Sequence, residues 1–164
     1  MESQEAVEEV DIDDEQENHL VQEGNNYEII SGEEFWERYE EGERDFRGIN
    51  LTGADLTGNS PSDVNLSKAN LTQARLSGTN WSSENLSGTN LTQADLNNIN
   101  LCDADLKEAI LSEANLSQAN LTGANLSNAC LEGANLIKAN FSNANLSKAT
   151  FNNLRGENPA DLNY

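Results

Sequence analysis

The chain is 164 residues long and carries 29 Asp and Glu against 9 Lys and Arg, a net charge of −20. The length allows one domain with a tail, and the charge is lopsided: residues 1–45 hold 18 acids and 2 bases (−16), residues 46–164 hold 11 and 7 (−4). No apolar run is long enough to cross a bilayer and no basic start leads into an apolar segment, so neither a spanning helix nor a secretory signal is expected, and a cytoplasmic location is the expectation.

Residues 1–26 are acidic, nearly free of aromatics and without periodicity, which predicts a disordered acidic N-terminal tail. The cluster Asp11, Asp13, Asp14, Glu15 and Glu17 lacks the glycine and the terminal glutamate of a calcium-binding loop. His19 has no partner beside it. Both read as solvated.

Residues 27–43 carry the marks of a short helix. Ser31 and Glu34 have capping-box spacing, Ile30 before the cap can staple onto Phe35, and Gly42 supplies the stop. Phe35, Trp36 and Tyr39 fall on one side, with charged residues on the other. This segment is expected to be an N-terminal capping helix, because the open end of a repeat array exposes apolar side chains and unpaired edges. An aromatic patch that binds a partner is the alternative.

From residue 44 to residue 153 a five-residue phrase recurs without a break in phase. Its central position, read every fifth residue from Phe46 to Phe151, is Leu except for Phe46, Pro61, Trp81, Phe141 and Phe151. The position two before the centre is Ala from Ala104 through Ala149, and the position between is almost always Asn or Asp. A fixed short period over such a length marks a repeat solenoid. A period of five matches neither the 3.6 of a helix nor the 2 of a strand, so the chain must turn a corner every five residues, with the central residue and the Ala inward. Asn and Asp suit these corners because their side chains bond their own backbone.

The units Ala114-Asn115-Leu116-Ser117-Gln118, Ala119-Asn120-Leu121-Thr122-Gly123 and Ala104-Asp105-Leu106-Lys107-Glu108 resemble those of the pentapeptide repeat family, and the lead-in Gly42 to Gly48 is similar to that of many cyanobacterial members. The resemblance implies an all-β solenoid, a right-handed quadrilateral parallel β-helix with four units per coil. Residues twenty apart would then stack at about 4.8 Å, giving a rod about 25 Å long.

Departures from the repeat form three groups. Between Asn59 and Thr89, Pro61 and Trp81 take central positions one above the other, so the indole is expected to fill space the proline leaves. Glu84 takes an inward position, and because a buried unpaired carboxylate is costly a local distortion turning it outward is expected. The second group is an outward column, Asp55, Arg75 and Asp95, continuing into Asn115 and Asn135, in which Arg75 can pair with both acids as a register ladder. The third begins Asn50, Asn70, Asn90 and turns to Ile110, Cys130 and Thr150, with Ile137 on a neighbouring side. An apolar strip rimmed by polar residues can mark an interface, and a β-branched ladder that merely tolerates the corner is an equal reading.

Leu154 breaks phase, and residues 154–164 form either a C-terminal cap or a tail. Cys102 and Cys130 fall on different sides and are expected to be free thiols. The chain offers no Ser/His/Asp or Cys/His set, no metal-ligand spacing and no phosphate-cradling loop, and a core filled by Leu and Ala has no hollow for a substrate. No enzyme activity, cofactor or metal is therefore expected, nor direct contact with nucleic acid or membrane. What remains is surface: a regulatory or scaffold module for an unidentified protein partner, acting as a monomer or as an end-to-end homodimer of the kind relatives form. A DNA mimic like the gyrase-protecting members, or a structural spacer, are the alternatives. The near-neutral solenoid, with outward Lys68, Lys107, Lys138 and Lys148, argues against the mimic.

Overall fold

A computed structural model describes residues 29–156. The acidic leader, its Asp/Glu cluster, His19 and the residues after Gly156 lie outside them. From Asp45 to Arg155 the backbone winds so that residue i forms a parallel bridge with residue i+20 on each of four sides, as in Asn85↔Asp105, Asn90↔Ile110, Asp95↔Asn115 and Asn100↔Asn120. Four five-residue sides therefore make one coil, as the resemblance implied. The reason lies in the turn. On each side the Ala N–H donates to the preceding central carbonyl (Ala109 to Leu106, 3.0 Å). The third residue of that turn is at positive φ in every regular repeat, from 53° at Asn153 to 86° at Gly58, the sign a type II turn requires. Asn or Asp before the centre caps the same turn: Asn90 Oδ1 accepts the Thr92 N–H at 3.1 Å and its hydroxyl at 2.6 Å.

Three backbone bonds per side tie the coils together. The central N–H donates to the next coil (Leu86 to Asp105, 2.8 Å), as does the residue two later (Gly88 to Lys107, 2.7 Å), while the residue before the next centre donates back (Asn90 to Ala69, 2.9 Å). Almost every polar backbone group thus has a partner, which is what allows a shaft this narrow to bury its interior. Central Leu, Phe and Trp residues from Phe46 to Phe141 are at most 2 % exposed, and one core cluster runs from Ile30 to Phe141.

Helix α1 (Gly32–Glu40) follows the capping residue Ser31, whose hydroxyl accepts the Glu34 N–H at 3.1 Å. No return bond from the Glu34 carboxylate is present among the described residues, so only half of the capping box forms. Gly42, at φ 102°, ends the helix by donating to Tyr39 O. α1 and the residue before its cap together reach all four sides of the first coil. Ile30 donates to Asn50 O at 2.8 Å, Gly32 abuts the Asp55 backbone, the Tyr39 hydroxyl meets Ser62, and the Phe35 ring lies 4.6 Å from that of Phe46. The helix therefore lies across the N-terminal end of the stack. The Trp81 ring lies 6.3 Å from those of both Phe35 and Trp36, so it packs beneath α1 from the second coil. The indole N–H groups of Trp36 and Trp81 are buried without partners among the described residues.

Glu84 does not turn outward. It is 5 % exposed, and its carboxylate accepts the N–H of Asp63 (Oε1, 3.1 Å) and of Val64 (Oε2, 2.5 Å). The cause is Pro61, which has no N–H to give to the next coil. No Ser60↔Asn80 bridge forms on that side, and the turn bond from Val64 to Pro61 O is absent among the described residues. Side chains take over: Ser60 Oγ accepts the Asn80 N–H at 2.9 Å, and Glu84 captures the two amides freed in the first coil. The carboxylate is inward because it has donors there, which the sequence pattern alone did not reveal.

At the other end Leu154 does not leave the phase. It takes the Ala position, and Arg155 bridges to Asn135, so the ladder runs to Arg155 and not to residue 153. Leu146, Phe151 and Leu154 are only half-buried, so the last coil is the open end of the core among the described residues.

Candidate functional site

The residue before each centre points outward, and on three sides of the solenoid these residues form side-chain ladders. Asn100 donates its amide to Asn80 (2.8 Å) and Asn120 to Asn100 (3.0 Å). Asn115 donates to Asp95 (3.1 Å) and Asn135 to Asn115 (3.0 Å). Asn125 donates to Asp105 (3.0 Å) and Asn145 to Asn125 (3.2 Å). Each ladder consumes the amides that would otherwise be free for a partner.

The fourth side has no such ladder among the described residues. Asn50, Asn70 and Asn90 bond only their own turns, and above them Ile110, Cys130 and Thr150 follow in one bridged column. Ile110 is 42 % exposed. Cys130 takes the place of a turn-capping Asn: its Sγ lies 3.4 Å from Ser112 Oγ, and hydrogen bonds from Ser112, the Glu132 backbone and Thr150 hold the thiol below its usual value. Beside it an open hollow of about 430 Å³ is lined by Ser112, Glu113, Glu132, Gly133, Asn153 and Arg155. Ile137, 45 % exposed, stands on the next side, where Gly156 lies against it. The structure thus brings Ile110, Cys130 and Thr150 into one column and leaves Ile137 apart from it.

The column Asp55, Arg75, Asp95 is only half a ladder. Arg75 pairs with Asp55 at 2.9 Å and not with Asp95, whose carboxylate is taken by Asn115 and the Asn97 N–H. Both acids cap their own turns through Oδ1, but only Asp95 also accepts the Asn115 amide, and the guanidinium lies on the other acid, at Asp55 Oδ2. Both members of the pair are more than half exposed, which limits its contribution to about 0 to 1 kcal/mol.

Phe35, Trp36 and Tyr39 do not form a free patch. Phe35 is fully buried and the other two pack on the core, with Arg44 stacked on the Tyr39 ring at 3.8 Å. Among the described residues no group of His, Cys, Asp and Glu could hold a metal ion, and no helix is long and apolar enough to cross a membrane. Cys102 and Cys130 are unpaired. Sequence reasoning missed the most regular structural position, the positive-φ corner. The signal was there: seven of the chain's eleven glycines (Gly48, Gly53, Gly58, Gly78, Gly88, Gly123 and Gly133) occupy it.

Comparison with known proteins agrees with this geometry. The family model for pentapeptide repeats matches in eight copies over residues 45–80, 85–123 and 119–153. The crystal structure of alr5209, a pentapeptide repeat protein from Nostoc PCC 7120, is similar at 34% identity over 75% of this chain and 97% of its own, with a TM-score of 0.55. HetL, a pentapeptide repeat protein involved in heterocyst differentiation regulation from Nostoc sp. strain PCC 7120, is 34% identical over 68% of this chain and 54% of its own (TM-score 0.43). Rfr23 from the cyanobacterium Cyanothece 51142 is 36% identical over 51% of this chain and 60% of its own (TM-score 0.40). The chain thus spans little more than half of HetL and of Rfr23. No curated protein sequence matches. With eight copies of the repeat matched and a relative aligned along nearly its whole length, the chain belongs to the pentapeptide repeat family.

Proposed function

We propose that this protein is a non-enzymatic regulatory or scaffold module, a right-handed quadrilateral β-helix capped by α1, that docks a protein partner on the side of Ile110, Cys130 and Thr150. One observation carries the reading: in the later coils three sides knit their outward residues into amide ladders, while the fourth has an exposed Ile110 and a Cys130 in those positions. Giving up hydrogen bonds for exposed apolar surface costs stability in water, and the cost is recovered when a partner covers that surface. Ile137 extends the same apolar character around the corner. The regulatory part of the reading leans on HetL, which is involved in heterocyst differentiation regulation. The reading places the protein in the cytoplasm, in keeping with its unpaired Cys102 and Cys130. It acts as a monomer or, through the less covered last coil around Phe151 and Leu154, as an end-to-end homodimer.

A DNA mimic would need unbroken rows of carboxylates outside. Lys68, Lys138 and Lys148 stand exposed at the positive-φ corners, which leaves that reading second.

Affinity capture from the native cell tests the proposal with three baits: the intact chain, an Ile110→Asp/Ile137→Asp double variant, and a Lys107→Glu variant on another side. A protein retained by the first and third baits and lost with the second places the interface on the apolar column. Identical captures with all three overturn it, and no specific capture at all points to a spacer.

A further inference from the structure

The first-coil side around Pro61 is held by side chains where every other side is held by backbone. Ser60 stands where the repeat has a turn-capping Asn or Asp, so the Ser62 N–H goes to the hydroxyl of Tyr39 on α1, at 3.1 Å. In a regular repeat the Asp63 N–H would donate to Ser82 O and the Val64 N–H to Pro61 O, by analogy with Gln73 to Thr92 O and Ala74 to Leu71 O. Both go to the Glu84 carboxylate instead. Three consecutive amides therefore depend on two side chains, one from the helix and one from the second coil. Among the described residues the two regular backbone acceptors, Ser82 O and Pro61 O, have no backbone donor.

We propose that this side is a two-state clasp: ionised Glu84 holds the Asp63 and Val64 amides, and protonated Glu84 releases them to Ser82 O and Pro61 O, shifting Ser62 and with it Tyr39 of α1. The chemistry of the carboxyl group sets the two states. As an anion it accepts at both oxygens. Once protonated, its hydroxyl oxygen is a poor acceptor and its carbonyl oxygen a weaker one than a carboxylate oxygen, so both amide bonds weaken. The released N–H groups have acceptors waiting in the regular positions, so neither state leaves them orphaned.

The surroundings set the sense of the switch. Among the described residues no ion pair reaches Glu84. The groups facing it are Asp63 on its own clasp, a like charge, and Tyr39 from α1, over which Arg44 of the lead-in is stacked. Burial pushes the Glu84 carboxyl above the 4.5 of a free glutamate, the two amide bonds pull the other way, and Asp63 adds to the rise. The folded chain therefore binds this proton more tightly than the unfolded chain. Its contribution to stability rises as pH falls from neutral toward 4.5, opposite in sign to that of an acid with a depressed value.

The chain's two tryptophans report on this place, since Trp36 is on α1 and Trp81 lies three residues before Glu84. Tryptophan emission of the full chain, titrated downward through the acidic range in which it stays folded, is expected to show one transition, and Glu84→Gln, which mimics the protonated group, to abolish it. Backbone amide resonances of Asp63 and Val64 in the unmodified chain supply a reading that needs no variant: both must shift with the same midpoint. A transition that survives in Glu84→Gln, or amides of Asp63 and Val64 that do not move over this range, overturns the clasp.

Discussion

Gly32 of α1 sits against Asp55 so closely that the Asp55 carbonyl oxygen occupies the space a Cβ on Gly32 would need. The contact is backbone to backbone, so neither partner can rotate away. It fixes the height of α1 above the first coil, and with it the fit of Phe35 onto Phe46 and Trp81. Gly32→Ala is expected to lift the helix and cost about 1 to 3 kcal/mol, the range for overpacking. Thermal melting followed by circular dichroism, with a red shift of the emission of Trp36 and Trp81, checks it; an unchanged melting temperature refutes the docking.

Core truncations should grade along the shaft. Leu116 is fully buried and Leu146 in the last coil only half-buried. Leu116→Ala is expected to cost about 2 to 5 kcal/mol, and Leu146→Ala clearly less, because the open end can relax around the smaller residue. Urea denaturation of the two variants measures the difference, and equal losses would show the last coil to be as well packed as the middle.

The ladders should outweigh the ion pair. Asn115 donates to Asp95, accepts from Asn135 and holds both the amide and the hydroxyl of Ser117, half-buried throughout. Asn115→Ala is expected to cost about 1 to 3 kcal/mol, whereas Arg75→Gln, which removes an exposed pair, stays within about 1 kcal/mol. Addition of salt should shift the melting temperature of the Asn115 variant and its parent alike. A larger loss from Arg75→Gln would reverse the assignment.

The two cysteines should differ in reactivity with pH. Donors from Ser112, the Glu132 amide and Thr150 favour the Cys130 thiolate, while the hydrogen bond to Asp103, burial and the Asp103 charge hold the Cys102 thiol above its usual value. Alkylation rates at Cys130 are expected to reach half-maximum at lower pH than at Cys102, as read by mass spectrometry of each site over a pH series. Ser112→Ala should move the Cys130 profile upward and leave Cys102 alone; coincident profiles would contradict the assignment.

The reading of the surface as a docking face and not a DNA mimic predicts that micromolar protein leaves gyrase supercoiling unaffected at both low and moderate salt. Inhibition that fades with added salt would reverse the order of the two readings.

Much of this molecule is legible in one dimension because its period is short. Leu and Ala recur every five residues, so which side chains go inward follows from phase alone, and the long stretch from Leu86 to Leu136 packs as the pattern requires. The helix before it was legible for a similar local reason, since Ser31 and Gly42 act within one turn of themselves. The candidate surface was legible only in part. Ile110, Cys130 and Thr150 stood out by their types, but that theirs is the side without an amide ladder emerges only once residues twenty apart are seen bonded, as Asn120 is to Asn100.

Composition and period, then, determined that the chain coils in five-residue sides around a dry interior, because every repeat obeys the same local geometry. The tertiary structure decided the fate of the irregular residues. Glu84 stays inside because Pro61, a full coil away, leaves amides for it to bind, and Arg75 lies on Asp55 while Asp95 takes the Asn115 amide from the next coil. Such choices depend on which donors and acceptors neighbouring coils leave free, and that is a property of the stack, not of any single repeat.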